Sequence, residues 1–252
     1  MTEPTLLRIA AWAMIATGVL TAISLRFVTA PYGRHARGGW GPAIPSRVGW
    51  IAMEAPASLV FLGIYLAGDH RADTAPLVLL AMWQLHYVHR AFIFPFRMRI
   101  AGKTMPASVA GMAIFFNLWN AYINARWISH LGQYDLTWLT SPRFLLGAAL
   151  FLVGMGINVW ADTVLLHLRR PGETGYKVPR GGLFDLVACP NYLGEILEWT
   201  GWAIATWSLP GLVFAVYTAA NVGPRAGSHL AWYREKLPDF PRDRKALIPF
   251  VW

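Results

Sequence analysis

Seven apolar runs, each near the length of a helix that crosses a bilayer, divide this chain: Leu6–Val28, Val48–Ala67, Pro76–Phe94, Met105–Ile128, Phe144–Leu166, Tyr192–Trp207 and Pro210–Trp232. A helix needs about 20 mainly apolar residues to span the hydrocarbon core. The runs therefore predict an all-α integral membrane bundle of seven transmembrane helices. The shortage of charge points the same way. Only 14% of the 252 residues are charged against 56% hydrophobic, where a soluble domain carries about 25% charged. So few polar side chains cannot cover a water-exposed surface, which excludes an ordinary cytosolic enzyme, a disordered chain and a coiled coil. The last two runs are joined by Ser208–Leu209–Pro210, a tight hairpin, and no repeat or long linker interrupts the chain. Residues 1–252 are expected to form one domain. The first run is too long for a signal-peptide core, and Arg26 and Phe27 follow where small residues belong, so it is expected to be retained.

The positive charges fix an orientation. With seven spans, the segments 26–47, 90–103, 169–180 and 225–245 share one side, and they hold 18 of the 22 Lys and Arg. Arg8, Arg71, Arg126 and Arg143 lie on the other. Basic residues accumulate in cytoplasmic connections, which predicts a cytoplasmic C-terminus and an N-terminus outside. The net charge of +9 is thereby explained by topology, and since it alternates with the spans no nucleic-acid partner is expected. One cysteine, Cys189, excludes an internal disulfide and a cysteine-built zinc site.

Ionisable groups inside membrane helices are costly and mark function, and here they fall at one depth. The second run carries Glu54. The third leaves through His86-Tyr87-Val88-His89-Arg90. Asn158 and Asp162 share a face of the fifth, continued by Arg169; Asn191, Glu195 and Glu198 open the sixth; Asn221, Arg225, His229 and Tyr233 recur every four residues in the seventh. Any single pair is compatible with plain charge neutralisation between helices. His86 and His89 are compatible with bundle histidines, the tryptophans with interfacial anchors, and Cys189 with an inert small residue. No metal site is expected. Five helices converging at one cytoplasmic depth are explained better by a cavity for a large anionic ligand such as a nucleotide. Gly154-Met155-Gly156 is no dinucleotide fingerprint, because Val159 replaces the third glycine and the segment lies inside an apolar helix. The apolar, aromatic upper halves of the spans suit a lipid-like substrate.

A series of motifs runs through Gly154-Met155-Gly156-Ile157-Asn158, Arg169-Arg170-Pro171-Gly172-Glu173, Pro179-Arg180-Gly181-Gly182-Leu183-Phe184 and Asn191-Tyr192-Leu193-Gly194-Glu195-Ile196-Leu197-Glu198-Trp199. It continues in Ala205-Thr206-Trp207-Ser208-Leu209-Pro210 and Arg244-Lys245-Ala246-Leu247-Ile248-Pro249-Phe250, with Pro31-Tyr32-Gly33-Arg34-His35 and Leu85–Arg90 upstream. In this order the motifs resemble the steroid 5α-reductase family. The ratio of 18 Arg to 4 Lys suits a GC-rich bacterial genome, hence a bacterial inner membrane, with the endoplasmic reticulum as the eukaryotic counterpart.

The resemblance implies NADPH-dependent reduction of the C4–C5 double bond of a 3-oxo-Δ4 steroid, with hydride to C5 and a proton to C4. It assigns Tyr87, its phenol held by Glu54, to the charge that develops on the C3 oxygen; it assigns no residue to the C4 proton. It places NADPH against Tyr32, Arg90, Asn158, Asp162, Arg169, Asn191, Glu195, Arg225, His229 and Tyr233, mainly within residues 150–252. Amides and carboxylates suit the carboxamide and ribose, and arginines suit the phosphates. Met53 stands where a Gln usually precedes the Glu, and no site is carried over from 97–105. Partners implied are a steroid or similar enone drawn from the bilayer and membrane lipids, without an obligate protein partner. Other readings of the same residues are a polyprenol or enoyl-thioester reductase, an isoprenylcysteine-type methyltransferase using S-adenosylmethionine, and a non-enzymatic transporter or lipid-binding protein. An oxyanion donor such as Tyr87 favours reduction over methyl transfer to a thiolate, and a polar cluster confined to one half disfavours a permeation path.

Overall fold

Each apolar run folds as a helix in a computed structural model that describes residues 1–100, 102–170, 173 and 175–252. Pro171 and Gly172, part of one family motif, lie outside the described residues. The helices are α1 (Glu3–Phe27), α2 (Ser46–Leu66), α3 (Thr74–Arg97), α4 (Ala107–Arg126), α5 (Pro142–His167), α6 (Pro190–Thr206) and α7 (Leu209–Lys236). Local chemistry sets several of the starts. Ser141 accepts the Phe144 amide at 3.2 Å before α5, and Ser208 accepts the Gly211 amide at 3.0 Å before α7. Each capping oxygen satisfies a first-turn donor that has no partner within the helix, and Pro in the first turn loses nothing there. The hairpin between α6 and α7 is as tight as expected.

Among the described residues four helices, α1, α2, α3 and α5, are long and apolar enough to cross a membrane. The others are shorter or carry more polar groups. The α6 helix has 17 residues, α4 buries Asn117, Asn120 and Asn124, and α7 carries Asn221, Arg225 and His229. Outward faces are apolar, with Leu6, Ile9, Trp12 and Leu20 exposed on α1 and Leu145, Leu146, Leu152 and Val153 on α5. That surface fits a lipid environment, as the shortage of charge requires.

Because lipid tails are as apolar as side chains, helices in a membrane are held together by close packing more than by escape from water. Aromatic rings fill the centre. Trp83 stacks on Phe61 at 4.3 Å, and Trp199 meets Phe214 at 4.3 Å. The closest helix pair, α5 with α6, depends on glycine. A Cβ on Gly154 would collide with the backbone of Glu198, and one on Gly194 with the backbone of Asn158. This contact sets the polar face of α5 directly against that of α6.

Three irregular features position polar groups. The α3 helix loosens into a π-turn at His89–Ile93 before its last turn, Phe94–Arg97. Such turns free carbonyls from the helical ladder, and here the Arg90 carbonyl accepts the Trp50 indole at 3.1 Å. A two-stranded ribbon, unforeseen in the all-α expectation, pairs β1 (Ala43–Pro45) antiparallel with β2 (Thr104–Pro106), Ile44 opposite Met105. It closes the entries to α2 and α4. The C-terminal stretch returns along residues 186–189, with Ala188 donating to Lys245 at 2.8 Å and Cys189 to Ala246 at 3.1 Å. Buried Arg244 secures that return by donating to the Pro179 carbonyl at 2.7 Å.

Candidate active site

Two adjoining cavities open among the polar ends of the helices. The larger, about 680 Å3, is lined by Glu54 from α2, His86, Tyr87 and Arg90 from α3, Asn117 from α4 and Glu195 from α6; its other end is apolar, with Leu20, Met112, Phe116 and Phe214. The second, about 620 Å3, is basic, with Arg34, Lys103, Arg169, Arg225 and His229 on its walls. Tyr32, Trp50, Tyr192 and Arg225 belong to both.

A chain of polar contacts runs behind the larger cavity. Arg90 donates to Asp162 at 3.1 Å, Asn191 donates to the other Asp162 oxygen at 3.0 Å, and Asn158 donates to the Asn191 carbonyl at 3.0 Å. The Arg90 guanidinium also lies 4.0 Å from Glu54 and over the rings of Trp50 and Phe94, 4.8 Å from each. Cation–π contact of this kind holds a partly buried Arg in one plane. Glu54 and Tyr87 face the same space, but no hydrogen bond joins them among the described residues. Glu54 is turned to Arg90 instead, since the cation that α3 presents one turn beyond Tyr87 is its nearest opposite charge.

A second network lines the basic cavity. Arg225 donates to the Tyr192 phenol at 2.8 Å and sits 5.1 Å from the Tyr32 ring. The same phenol is 3.1 Å from His229 Nε2, whose Nδ1 is 3.2 Å from His35 Nε2, with the two imidazoles stacked 5.1 Å apart. His35, in the connection after α1, titrates below its ordinary value because burial opposes its charging, reinforced by the Arg34 and Arg225 cations. Arg34 rests 4.6 Å over the Tyr233 ring, and its buried Nη1 has no hydrogen-bond partner among the described residues.

The residues singled out in the sequence thus separate into three groups. Glu54, Tyr87, Tyr32, Arg90, Glu195 and Arg225 line the larger cavity, and Arg169 and His229 line the basic one. Asn158, Asp162 and Asn191 form a supporting layer, in which Asp162 accepts from Arg90 and Asn191, and Asn158 donates to the Asn191 backbone carbonyl. Tyr233 lines neither cavity; it stacks on Phe240 at 5.0 Å and carries Arg34. Arg34, Lys103 and Trp50 were missed. Arg34 was legible inside the Pro31–His35 motif, two residues from Tyr32, whereas Lys103 is brought in by the β1–β2 ribbon, where Ser46 donates to its carbonyl at 2.9 Å. Cys189 is buried, and burial pushes its thiol up to about 12, as suits an inert residue.

Fold and site together define a helical, lipid-adapted protein with an apolar, carboxylate-floored chamber set against a basic one. Residues 103–252 match the model of the family described as 3-oxo-5-alpha-steroid 4-dehydrogenase. Over 237 residues the chain is 47% identical to steroid 5-alpha-reductase DET2 of Gossypium hirsutum, covering 92% of each protein. It is 43% identical over 255 residues to 3-oxo-5-alpha-steroid 4-dehydrogenase 1 of Bos taurus, covering 100% of this chain and 99% of the other. Against the Homo sapiens protein of that name it is 42% identical over 252 residues, covering 99% and 97%. The chain belongs to the 3-oxo-5-alpha-steroid 4-dehydrogenase family, as its motifs suggested.

Proposed function

We infer that this protein is a membrane-embedded steroid 5α-reductase that saturates the C4–C5 bond of 3-oxo-Δ4 steroids at the expense of NADPH. The observation that carries the reading is the pair of chambers, one apolar with Tyr87 and Glu54 at its polar end, the other basic. A sterol-sized enone suits the first, its ketone toward Tyr87. A dinucleotide phosphate suits the second. The donor set fits that group: Arg34, Lys103, Arg169 and Arg225 converge there, and the Arg34 Nη1, without a partner among the described residues, is the kind of buried donor an anionic oxygen satisfies. NADPH, when bound, supplies the hydride for C5.

The chain's own residues supply the rest. Tyr87 donates a hydrogen bond from its phenol to the C3 oxygen, where negative charge grows as hydride arrives, a stabilisation worth about 3–4 kcal/mol for one well-placed donor. Glu54 faces the same oxygen-binding end and shares Arg90 with Asp162. Arg225 and Tyr32, common to both chambers, orient the two ligands toward each other. Asn158, Asp162 and Asn191 keep Arg90 in place.

Around this site we read residues 1–252 as one unit, with all seven helices spanning the bilayer, the C-terminus cytoplasmic and the N-terminus outside. The Arg and Lys distribution supports that topology, and the Arg bias supports a bacterial inner membrane. Mass spectrometry of products from testosterone, progesterone and an unsaturated polyprenol incubated with NADPH tests the activity. The 5α-dihydro steroids are expected. Reduction of the polyprenol alone would transfer the reading to another substrate class, and no reduction of any would end it.

A further inference from the structure

One polar pair at the larger chamber has no part in the chemistry above. His86 Nδ1 lies 2.7 Å from Glu198 Oε1, and Glu198 is 0% exposed. The second carboxylate oxygen, Oε2, has no hydrogen-bond partner among the described residues. The imidazole is clamped edge-on by Tyr87, 4.8 Å away, and Trp199, 4.6 Å away. It also forms part of the chamber wall. Since Nδ1 is engaged by Glu198, Nε2 is the nitrogen left for the chamber.

Charge economy says what this pair holds. A carboxylate buried with one hydrogen bond is costly to keep as a lone anion. A proton added to the pair removes that cost, giving an imidazolium against a carboxylate with an Nε2–H available to the chamber. The carboxylate fixes both the ring orientation and the tautomer, as the acid of a hydrolase triad does. Position matters equally. The His86 and Tyr87 rings lie 4.8 Å apart, and in an enone the carbon beside the carbonyl is one bond from the carbon that bears the oxygen. A donor adjacent to the one that holds the oxygen is therefore suited to that carbon. The arginines of the chamber keep their protons at any working pH.

We propose that the His86–Glu198 pair delivers the proton that completes the reduction, His86 as the donor and Glu198 as its positioning residue. The step rests on the enone-reductase reading. Hydride from the reduced nicotinamide forms the C5–H bond and leaves an enolate stabilised by Tyr87. The enolate electron pair at C4 takes the proton from Nε2, so the N–H bond breaks, the C4–H bond forms and the C3 carbonyl is restored. The neutral imidazole then regains a proton from water.

The test compares wild type with His86→Gln and Glu198→Gln in detergent or nanodiscs. Turnover is followed against pH, NADPH affinity by tryptophan fluorescence, and the ring protonation of His86 by 15N NMR without ligands. Glu54 from α2, Tyr87 and Arg90 from α3, Glu195 from α6 and Arg225 from α7 face the same chamber, so the pH profile is judged by difference. Wild-type kcat is expected to fall as pH rises through the His86 titration seen by NMR. In His86→Gln, kcat drops about 10²-fold or more, that limb disappears and NADPH affinity stays within about threefold. Glu198→Gln shifts both the NMR titration and the kinetic limb to lower pH. A His86→Gln enzyme with near wild-type turnover and an unchanged profile overturns the proposal, as does loss of NADPH affinity in step with kcat. If Glu198→Gln does not fold, the His86→Gln comparison decides alone. Wild type that reduces no enone refutes the reductase reading itself, a separate result.

Discussion

Arg90 donates to Asp162 at 3.1 Å and stands 4.0 Å from Glu54, so one guanidinium from α3 serves carboxylates on α2 and α5. Asp162 is the better partner and also accepts from Asn191. Asp162→Ala strips both donors of their acceptor and leaves a largely buried cation. Breaking such a pair costs about 3–5 kcal/mol, which at roughly 2–4 °C per kcal/mol is a melting-temperature fall on the order of 10 °C. Asp162→Asn keeps an acceptor for Asn191 and loses less. Thermal melts in detergent decide; equal melting of all three proteins contradicts the arrangement.

Tyr87→Phe removes the phenol while preserving the ring that packs against Trp83, 4.9 Å away, and Trp199, 5.6 Å away. Turnover with a Δ4-3-oxosteroid is expected to fall by about 10²–10³-fold, with little change in melting temperature. Glu54→Gln is expected to lower turnover too. Full activity in both variants would remove these residues from the mechanism.

Glycines of α5 and α6 differ sharply in what they tolerate. Gly154→Ala forces a methyl into the Glu198 backbone, and Gly194→Ala into that of Asn158. Both are expected to lower the yield of folded protein and separate the polar faces of α5 and α6. Gly156, two residues from Gly154, is exposed and has nothing within 4 Å of an added Cβ. There Ala gains about 0.5–1 kcal/mol from helix propensity. Melting of the three variants side by side gives the comparison; a Gly154→Ala protein as stable as Gly156→Ala would refute the close approach.

His35 is expected to titrate below the usual 6.5, since burial and the nearby Arg34 and Arg225 hold its folded value down. The sign follows directly. Below pH 6.5 the unfolded chain takes up a proton that the folded imidazole refuses, so acidification weakens the fold until the folded value is passed. Histidine NMR across pH 4–8 reads the titration, and His35→Gln should flatten part of the acid-side loss of stability. A His35 signal that titrates above 6.5 contradicts this.

Hydrophobic run length made all seven helices legible, because a helix packed in a bundle or facing lipid carries a long, mainly apolar run and that signature survives without knowledge of neighbours. Polar residues at helical spacing were legible for the same reason: Asp162, Asn191, Glu195 and Arg225 fall on faces that the bundle turns inward. What the sequence did not disclose depends on contacts between distant segments. The π-turn at His89–Ile93 contains Arg90, the residue that meets Glu54. The β1–β2 ribbon brings Lys103 to the basic cavity, and Arg244, which reads as one more cytoplasmic charge, is buried on the Pro179 carbonyl. Periodicity carries no information on pairings between segments this far apart in sequence.

Arg225 and the Tyr32 and Tyr192 rings form a party wall between the two chambers. A wall with two faces cannot be reshaped on one side only. Whatever free energy the first ligand contributes to ordering Arg225, the second no longer has to supply, and thermodynamic reciprocity makes the gain equal in either order of arrival. Nucleotide and lipid should therefore tighten each other's hold by the same factor, and a change at Arg225 should weaken that mutual factor beyond its effect on either affinity alone.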